Sequence, residues 1–199
     1  MRQEDILAVA ALQPLAFPAP FDEDLLWNVE HLTRHISLFP VGQWVADADG
    51  EIVASCSNTC ISEDHWMAHD SWDATVGGPL LDTFNPNGTT LYGLDITVHP
   101  EYRRRGIGRE FYKTRFQYVE QMGLRRYGTG CRLPDFQGSG IPDVDLYAAK
   151  VIAGELTDRT LTPLLRYGLS CLGVIENYMD DAESGNAAAL LEWIPGSQR

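Results

Sequence analysis

The sequence has no long apolar segment. No uninterrupted apolar run approaches the roughly 20 residues that a membrane-spanning helix requires. Glu4 and Asp5 stand where a secretion signal would have basic residues followed by an apolar stretch. We therefore expect no membrane partner and a cytoplasmic location.

Basic residues are scarce. The chain has 15 lysines and arginines against 28 aspartates and glutamates, a formal net charge of −13. This charge argues against nucleic acid and anionic membranes as partners, because both bind basic surfaces. The exception is a cluster of arginines at Arg103, Arg104, Arg105 and Arg109, which predicts one anionic ligand. The acidic remainder either favours a cationic co-substrate such as an amine or serves solubility alone.

Paired cysteines are also missing. The four cysteines lie at positions 56, 60, 131 and 171, without a C-x-x-C pair or a disulfide ladder, so we expect reduced, buried thiols. Cys131 has no accompanying triad pattern, which argues against a nucleophilic role.

A metal site is not predicted either. His65 and His69 have the spacing to share one helical face, but no third ligand stands at a recognisable distance along the chain. The irregular segment 60–87 around them, with Trp66 and Trp72, is expected either to form an aromatic loop over a substrate pocket or to pack on the surface.

The most informative stretch of the chain runs from residue 91 to residue 122. Leu91 to Val98 is rich in alternating apolar residues, which predicts a strand with one buried face. His99-Pro100 ends this strand, because proline lacks a backbone donor and disfavours helix before it. Apolar residues at three-to-four spacing then predict a helix from Ile107 to Met122, with Arg115 or Phe116 among the periodic positions.

The turn between this strand and this helix reads Arg103-Arg104-Arg105-Gly106-Ile107-Gly108. A helix start carries unpaired N–H groups and the positive end of the helix dipole, and glycines let a phosphate approach the backbone. Arginines add forked donors suited to phosphate oxygens. The turn is therefore either a pyrophosphate site or a tight turn with solvent-facing arginines.

The pattern Arg103-x-x-Gly106-x-Gly108, preceded by Asp95-Ile96-Thr97-Val98 and His99-Pro100-Glu101-Tyr102, resembles the coenzyme A signature of the GNAT superfamily of N-acetyltransferases. The flanking residues resemble a subgroup that is sometimes fused to a carbon–nitrogen hydrolase. The sequence ends at Arg199, and we expect no hydrolase within it. The resemblance implies a GNAT (acyl-CoA N-acyltransferase) fold in the α/β (α+β) class: a mixed, twisted sheet of about six or seven strands with helices on both faces.

The resemblance also implies acetyl-CoA as co-substrate and a binding site for it. The pantetheine arm would lie along the strand and contact the backbone of Ile96, Thr97 and Val98, with the Val98 N–H stabilising the oxyanion. The pyrophosphate would be held by the turn and the helix start, at Arg103, Arg104, Arg105, Gly106, Ile107, Gly108 and Arg109. The family opens a gap for the arm by splaying two strands, and Gly128 or Gly130 is expected to help here.

For the catalytic groups the resemblance is less complete. Asp95 is the first candidate for the general base, ahead of Glu101 and Asp82, with a purely structural role as the alternative. The tyrosine that protonates the leaving thiolate in many family members maps to Leu164.

Three other tyrosines bear on that missing proton donor. Tyr167 is misplaced in sequence for this role, and Tyr147 or Tyr178 would substitute only if the fold brings them near. Alternatively, the thiolate leaves to water.

The remaining patterns predict the other elements of the chain. Helices are expected at 3–13, 22–38, 145–153 and 161–167, and strands at 43–46, 52–57, 125–131, 169–175 and 188–194. Pro14, Pro18 and Pro20 predict a loop after the first helix, and a strand that usually precedes this helix in the family is either shortened or missing. The strand at 125–131 should pair in parallel with the one at 91–98 through a right-handed crossover.

The length of the chain predicts one domain over 1–199, and the resemblance implies acetyl-CoA-dependent N-acetyltransferase activity on a small amine or amino-acid-like substrate. Acetylation of protein or peptide amines is the nearest alternative. A non-catalytic coenzyme A sensor or partner module is an alternative of another class. A homodimer and a monomer both remain open.

Overall fold

The computed structural model describes residues 1–19 and 21–196, so Pro20 and Arg199 lie outside it. One six-stranded sheet organises these residues, with the spatial order β1-β2-β3-β4-β6-β5. Its strands are β1 Trp44–Ala48, β2 Glu51–Ile61, β3 Thr90–Val98, β4 Arg126–Arg132, β5 Ser170–Ile175 and β6 Ala188–Trp193. Only the β3–β4 pair is parallel, and the other neighbours are antiparallel. The predicted mixed α/β sheet of about six or seven strands and the parallel pairing are confirmed.

Seven α-helices accompany the sheet in the described part of the chain. They are α1 Ile6–Ala16, α2 Val29–Leu38, α3 Glu63–Ala68, α4 Trp72–Val76, α5 Ile107–Met122, α6 Val144–Ile152 and α7 Leu161–Arg166. Within the described residues no strand precedes α1, and no helix has the length and hydropathy to cross a membrane.

The two faces of the sheet carry different helices. Phe111 of α5 packs with Ala54 and Cys56 of β2 on one face, and Ile96 lies against the same cluster. Val9 of α1 and Leu32 of α2 belong to a second core cluster on the other face. The sheet therefore separates an α5 face from an α1–α2 face.

Several predicted boundaries were wrong. α1 continues through Pro14 to Ala16. Proline has no N–H, so only one helical hydrogen bond is lost there, and the Phe17 N–H still bonds the Gln13 carbonyl at 2.9 Å. The predicted helix at 22–38 divides in two. Asp22 caps a short 3₁₀ turn, and α2 begins only after Asn28, whose side chain accepts from the His31 N–H.

The strand β2 is longer than predicted and continues to Ile61. The segment that follows it is partly helical, with α3 and α4 capped by Ser62 and Ser71. Elsewhere the boundaries of the predicted helices and strands lie within a residue or two of the observed boundaries. The predicted hairpin between β1 and β2, which turns at Asp49 and Gly50, is also present.

Candidate active site

The turn before α5 presents a row of backbone donors. Gly106 precedes the helix at φ 89° and provides no side-chain cap, and the first helical bond runs from the Glu110 N–H to the Gly106 carbonyl at 3.1 Å. In the described structure the N–H groups of residues 104–109 have no protein acceptor. A glycine at Gly106 suits this geometry, since positive φ is strained for other residues. These donors and the helix dipole form an anion-binding concavity.

The arginines of this turn divide into two kinds. The Arg103 guanidinium donates to the Ala16 carbonyl at 2.6 Å and to the Val98 carbonyl at 3.3 Å, so it ties the turn to α1 and to the end of β3. Arg104, Arg105 and Arg109 are exposed and form no ion pair with any described residue. No described carboxylate neutralises these three charges, and the Arg105 guanidinium lies over the Tyr102 ring, 4.7 Å from its centroid. Arg103, in contrast, has a structural task.

A gap opens between β3 and β4. The two strands pair only from Thr90↔Arg126 to Tyr92↔Gly128 and then separate. The Thr129 hydroxyl donates to the Gly93 carbonyl at 3.0 Å where the pairing ends. The predicted splay is confirmed.

The two glycines of β4 lie directly beneath aromatic rings. A Cβ at Gly128 would meet the Trp66 ring at 2.2 Å, and a Cβ at Gly130 would meet the Tyr178 ring at 2.2 Å. Both glycines therefore make room for aromatic rings that cover the sheet on its α1–α2 face.

A β-bulge in β3 decides which side chains reach each face. The register shifts between Ser57 and Asn58 of β2, so that Ser57 pairs with Asp95 and Asn58 with Gly93, leaving Leu94 unpaired. As a result Leu94 packs against the α1–α2 cluster, whereas Ile96 packs against α5. The simple alternation predicted for this strand was wrong at this point.

The backbone groups of β3 also alternate in direction. The His99 N–H donates to the Val53 carbonyl of β2 at 2.9 Å. Because strand residues point alternately to each side, Thr97 turns its backbone towards β2, and Ile96 and Val98 turn theirs towards the gap. Thr97 is also fully buried, and its hydroxyl accepts from Gln13 Nε2 at 3.0 Å. Ile96 and Val98 therefore have backbone groups that face the gap, and Thr97 does not.

Asp95 lies at the bulge with its carboxylate held by donors. The Thr97 hydroxyl donates to it at 2.7 Å and the Ser57 N–H at 3.2 Å. Burial raises the pKa of the Asp95 carboxyl, while hydrogen bonds from the side chains of Thr97 and Trp27 and the charge of Arg115 act against this rise. A carboxylate with a raised pKa is a stronger proton acceptor, as a general base requires.

Arg115 is a site residue whose role was not predicted. It is 2% exposed, and its guanidinium donates to Asn58 Oδ1 at 2.7 Å, to the Asp95 carbonyl at 2.9 Å and to the Ser57 carbonyl at 3.2 Å. Its charge also lies over the rings of Tyr112 and Tyr127. The sequence carried a signal for its burial, because Arg115 occupies a periodic apolar position of the predicted helix.

A cavity of about 370 Å³ passes through the gap. Gly108, Tyr112 and Leu164 line it towards α5 and α7, and Trp27 and Trp72 line it towards α1 and α2. Asp95 and Ile96 lie between these two ends. The cavity thus connects the start of α5 with a chamber on the α1–α2 side of the sheet, and the bulge lies between them. Glu101 and Asp82 do not line this cavity, which leaves Asp95 as the candidate base within it.

The tyrosines considered as proton donors occupy different places. Tyr147 donates to Asp158 at 2.8 Å and does not line the cavity. Tyr178 and Tyr167 do line it. The Tyr178 hydroxyl bonds that of Tyr92 at 2.7 Å, and burial raises the pKa of Tyr178 well above its usual value.

His65 and His69 do not line the cavity, whereas Cys131 does. His69 caps α3 in a left-handed conformation, and the described residues contain no group of three or more potential metal ligands. Cys131 is 3% exposed and burial raises the pKa of its thiol well above the usual value, which is the opposite of an activated nucleophile.

Comparison with known proteins gives one matching family model. Residues 6–139 match the model described as the acetyltransferase (GNAT) family. The chain is also 33% identical over 193 residues to the uncharacterised N-acetyltransferase YkwB of Bacillus subtilis (strain 168), covering 96% of this chain and 85% of that protein.

Two further proteins are similar over nearly the whole chain. It is 30% identical over 195 residues to the probable hydrolase YhcX of Bacillus subtilis (strain 168), covering 97% of this chain but only 37% of that protein. Among solved structures, the GphF GNAT-like decarboxylase in complex with isobutyryl-CoA superposes with a TM-score of 0.80 at 21% identity, covering 98% of this chain and 96% of that one.

Proposed function

The chain belongs to the GNAT acetyltransferase family, and we propose that it transfers an acetyl group from acetyl-CoA to the nitrogen of a small amine or amino-acid-like acceptor by direct attack on the thioester. The observation that carries this proposal is the cavity through the β3–β4 gap. It reaches Gly108 at the start of α5 on one side and Trp27 on the other. Two substrates that enter from opposite faces would meet at the bulge.

The first half of the proposal concerns coenzyme A. Its pyrophosphate would accept from the N–H groups of residues 104–109 and lie near Arg104, Arg105 and Arg109. The pantetheine arm would then pair with the gap-facing backbone of Ile96 and Val98. A solved structure of the same fold is named as a complex with isobutyryl-CoA, which supports an acyl-CoA co-substrate in this fold.

The second half concerns the reaction. The acceptor ammonium loses a proton to Asp95, directly or through water, and the free nitrogen attacks the thioester carbonyl. The Val98 N–H stabilises the resulting oxyanion. As the C–S bond breaks, the nitrogen releases its second proton to solvent and the thiolate takes a proton from Tyr178, which regains one through water. We place Tyr178 in the role that Leu164 cannot fill. The Tyr178 hydroxyl is protonated at neutral pH, and burial raises its pKa, which makes it a weaker acid than an exposed tyrosine.

The experiment for this proposal measures thiol release from acetyl-CoA over a panel of amines. We expect turnover with at least one small amine, and a fall of about 10²-fold or more in kcat/KM for Asp95→Asn, the range associated with a general base. Asp145→Asn is the matched control, because Asp145 is exposed on α6 and away from the cavity. The acidic limb of the kcat/KM profile should lie above the ordinary aspartate pKa, since burial raises that of Asp95.

Other results would assign the site differently. An equal loss in Asp82→Asn or Glu101→Gln would move the base away from Asp95. Tight coenzyme A binding with no turnover on any amine or peptide would favour the sensor function, to which Leu164 in the usual tyrosine position also points. Turnover on peptide amino termini alone would favour the protein-acetylating alternative.

A further inference from the structure

The chamber on the α1–α2 side has a lining of its own, distinct from the half of the cavity that coenzyme A would occupy. Its residues come from the end of α1, the segment after it, the start of α4 and the bulge, and they are Phe17, Phe21, Leu25, Trp27, Trp72 and Leu94. These side chains are aromatic or aliphatic. The Phe17 and Phe21 ring centroids are 5.1 Å apart, and those of Trp27 and Trp72 are 5.9 Å apart.

The polar groups of this chamber are already bonded to the protein. Gln13 Nε2 donates to the Thr97 hydroxyl at 3.0 Å, and its Oε1 accepts from the Trp27 N–H at 3.5 Å. The Tyr178 hydroxyl is paired with that of Tyr92. Few donors or acceptors are therefore left for the hydroxyl groups of a polar acceptor, whose burial without partners is unfavourable.

Among the charged side chains that line the cavity, arginines outnumber carboxylates. Asp95 is the single carboxylate in its lining, against the three guanidinium groups of Arg115, Arg132 and Arg159. Arg132 pairs with Asp181 at 2.6 Å, and Arg159 pairs with Glu183 at 2.9 Å. A polyamine or amino sugar would bring several positive charges to a cavity that offers one carboxylate.

From these observations we infer that the acceptor is a monoamine on an apolar, preferably aromatic, body. Its ring would lie between the Phe17–Phe21 and Trp27–Trp72 pairs, where aromatic contacts add to the burial of apolar area. Its single amino group would point to Asp95. This inference deepens the proposed function and rests on it.

The test separates recognition of the acceptor from chemistry. Binding of amines to the protein saturated with coenzyme A is measured by calorimetry, alongside kcat/KM with acetyl-CoA. The panel contains 2-phenylethylamine, ethanolamine, spermidine and a peptide with an N-terminal phenylalanine. We expect 2-phenylethylamine to bind at least tenfold more tightly than ethanolamine or spermidine and to be the best acceptor.

Matched variants locate the binding of the ring. Trp72→Leu should weaken 2-phenylethylamine binding about tenfold or more, while Trp44→Leu should leave it unchanged, since Trp44 lies on β1 outside the cavity. Phe17→Leu provides a second lining variant if Trp72→Leu folds poorly. In both lining variants the affinity for coenzyme A should be preserved.

The outcomes are distinguishable from those of the proposed function. Preferential binding of 2-phenylethylamine without turnover supports the acceptor class and overturns the transferase activity. The acceptor class is overturned if spermidine, ethanolamine or the peptide binds more tightly than 2-phenylethylamine. It is also overturned if Trp72→Leu and Trp44→Leu change the binding of 2-phenylethylamine equally.

Discussion

A single buried side chain, that of Arg115, joins three elements at the bulge. It bonds Ser57 and Asn58 of β2 and the Asp95 carbonyl of β3 from its position on α5. These acceptors lie away from bulk water and would lose their partner together if the guanidinium were removed. Arg115 therefore stabilises the register shift that directs Leu94 and Asp95 to one face and Ile96 to the other.

Replacing Arg115 tests this role. We expect Arg115→Met to lower the free energy of unfolding by about 3 to 5 kcal/mol, because it leaves three buried acceptors unbonded and removes the positive charge near the Asp95 carboxylate. Urea denaturation measures the change. The control is Lys113→Met on the same helix, whose exposed pair with Glu110 should contribute no more than about 1 kcal/mol. Equal effects of the two variants would contradict the role given to Arg115.

A substitution at Gly108 tests the proposed anion site without straining the backbone. Its Cβ would meet nothing within 4 Å, and a glutamate in the first turn of α5 favours the helix dipole. We expect Gly108→Glu to raise the Kd for coenzyme A at least about tenfold, or 1.4 kcal/mol, by repelling the pyrophosphate. Calorimetry measures the Kd.

The matched control for this change is Gln117→Glu, which adds the same charge to an exposed position of the same helix. Its Kd for coenzyme A should equal that of the unmodified protein. Identical Kd values for Gly108→Glu and Gln117→Glu would remove the start of α5 from the binding site.

Among the elements, the strand–turn–helix unit of β3 and α5 followed most directly from sequence. Gly106 and the apolar periodicity up to Met122 depend only on neighbouring residues, and they predicted both ends of α5 correctly. The bulge in β3 could not be predicted, because it depends on the partner strand and on Arg115 from another element. The extension of α1 through Pro14 likewise depends on packing rather than on local preference.

Another contact between elements ties α3 to β4. Arg126 Nη1 and Nη2 donate to the two Glu63 carboxylate oxygens at 2.9 and 3.0 Å, and these bonds, with that from Thr89, lower the pKa of Glu63 to about 2. We expect Glu63→Gln to lose about 1 kcal/mol of stability at pH 7, since the pair is partly solvent-screened.

The pH dependence of this contact has a definite sign. The native state holds the Glu63 carboxylate ionised more strongly than the unfolded chain does, so its stabilisation is present above the ordinary glutamate pKa and is lost as pH falls towards about 2. Urea denaturation at a series of pH values measures it. The stability difference between the protein and Glu63→Gln should shrink over this interval, and a constant difference would contradict the assignment.

Across the whole molecule, net charge does not predict the composition of the cavity. The net charge of −13 left open a cationic co-substrate or solubility alone, and the cavity lining holds one carboxylate, that of Asp95, and three arginines. Net charge therefore describes the surface and not the site. One wall of the aromatic chamber was anticipated, because Trp72 belongs to the segment 60–87 that was expected either to form an aromatic loop over a substrate pocket or to pack on the surface. The contribution of Phe17, which is distant in sequence, could not be predicted, because it follows from the fold. Family membership identifies the co-substrate side, whereas the acceptor side depends on these long-range contacts.

The central claim is that coenzyme A binds across the start of α5 with its thiol in the gap between β3 and β4. A crystal structure of the complex with coenzyme A tests it most directly. The account predicts pyrophosphate oxygens within about 3.2 Å of the N–H groups of residues 104–109. It also places the thiol between Ile96 and Gly130. Pyrophosphate bound elsewhere, or an arm that does not enter the gap, would contradict the account.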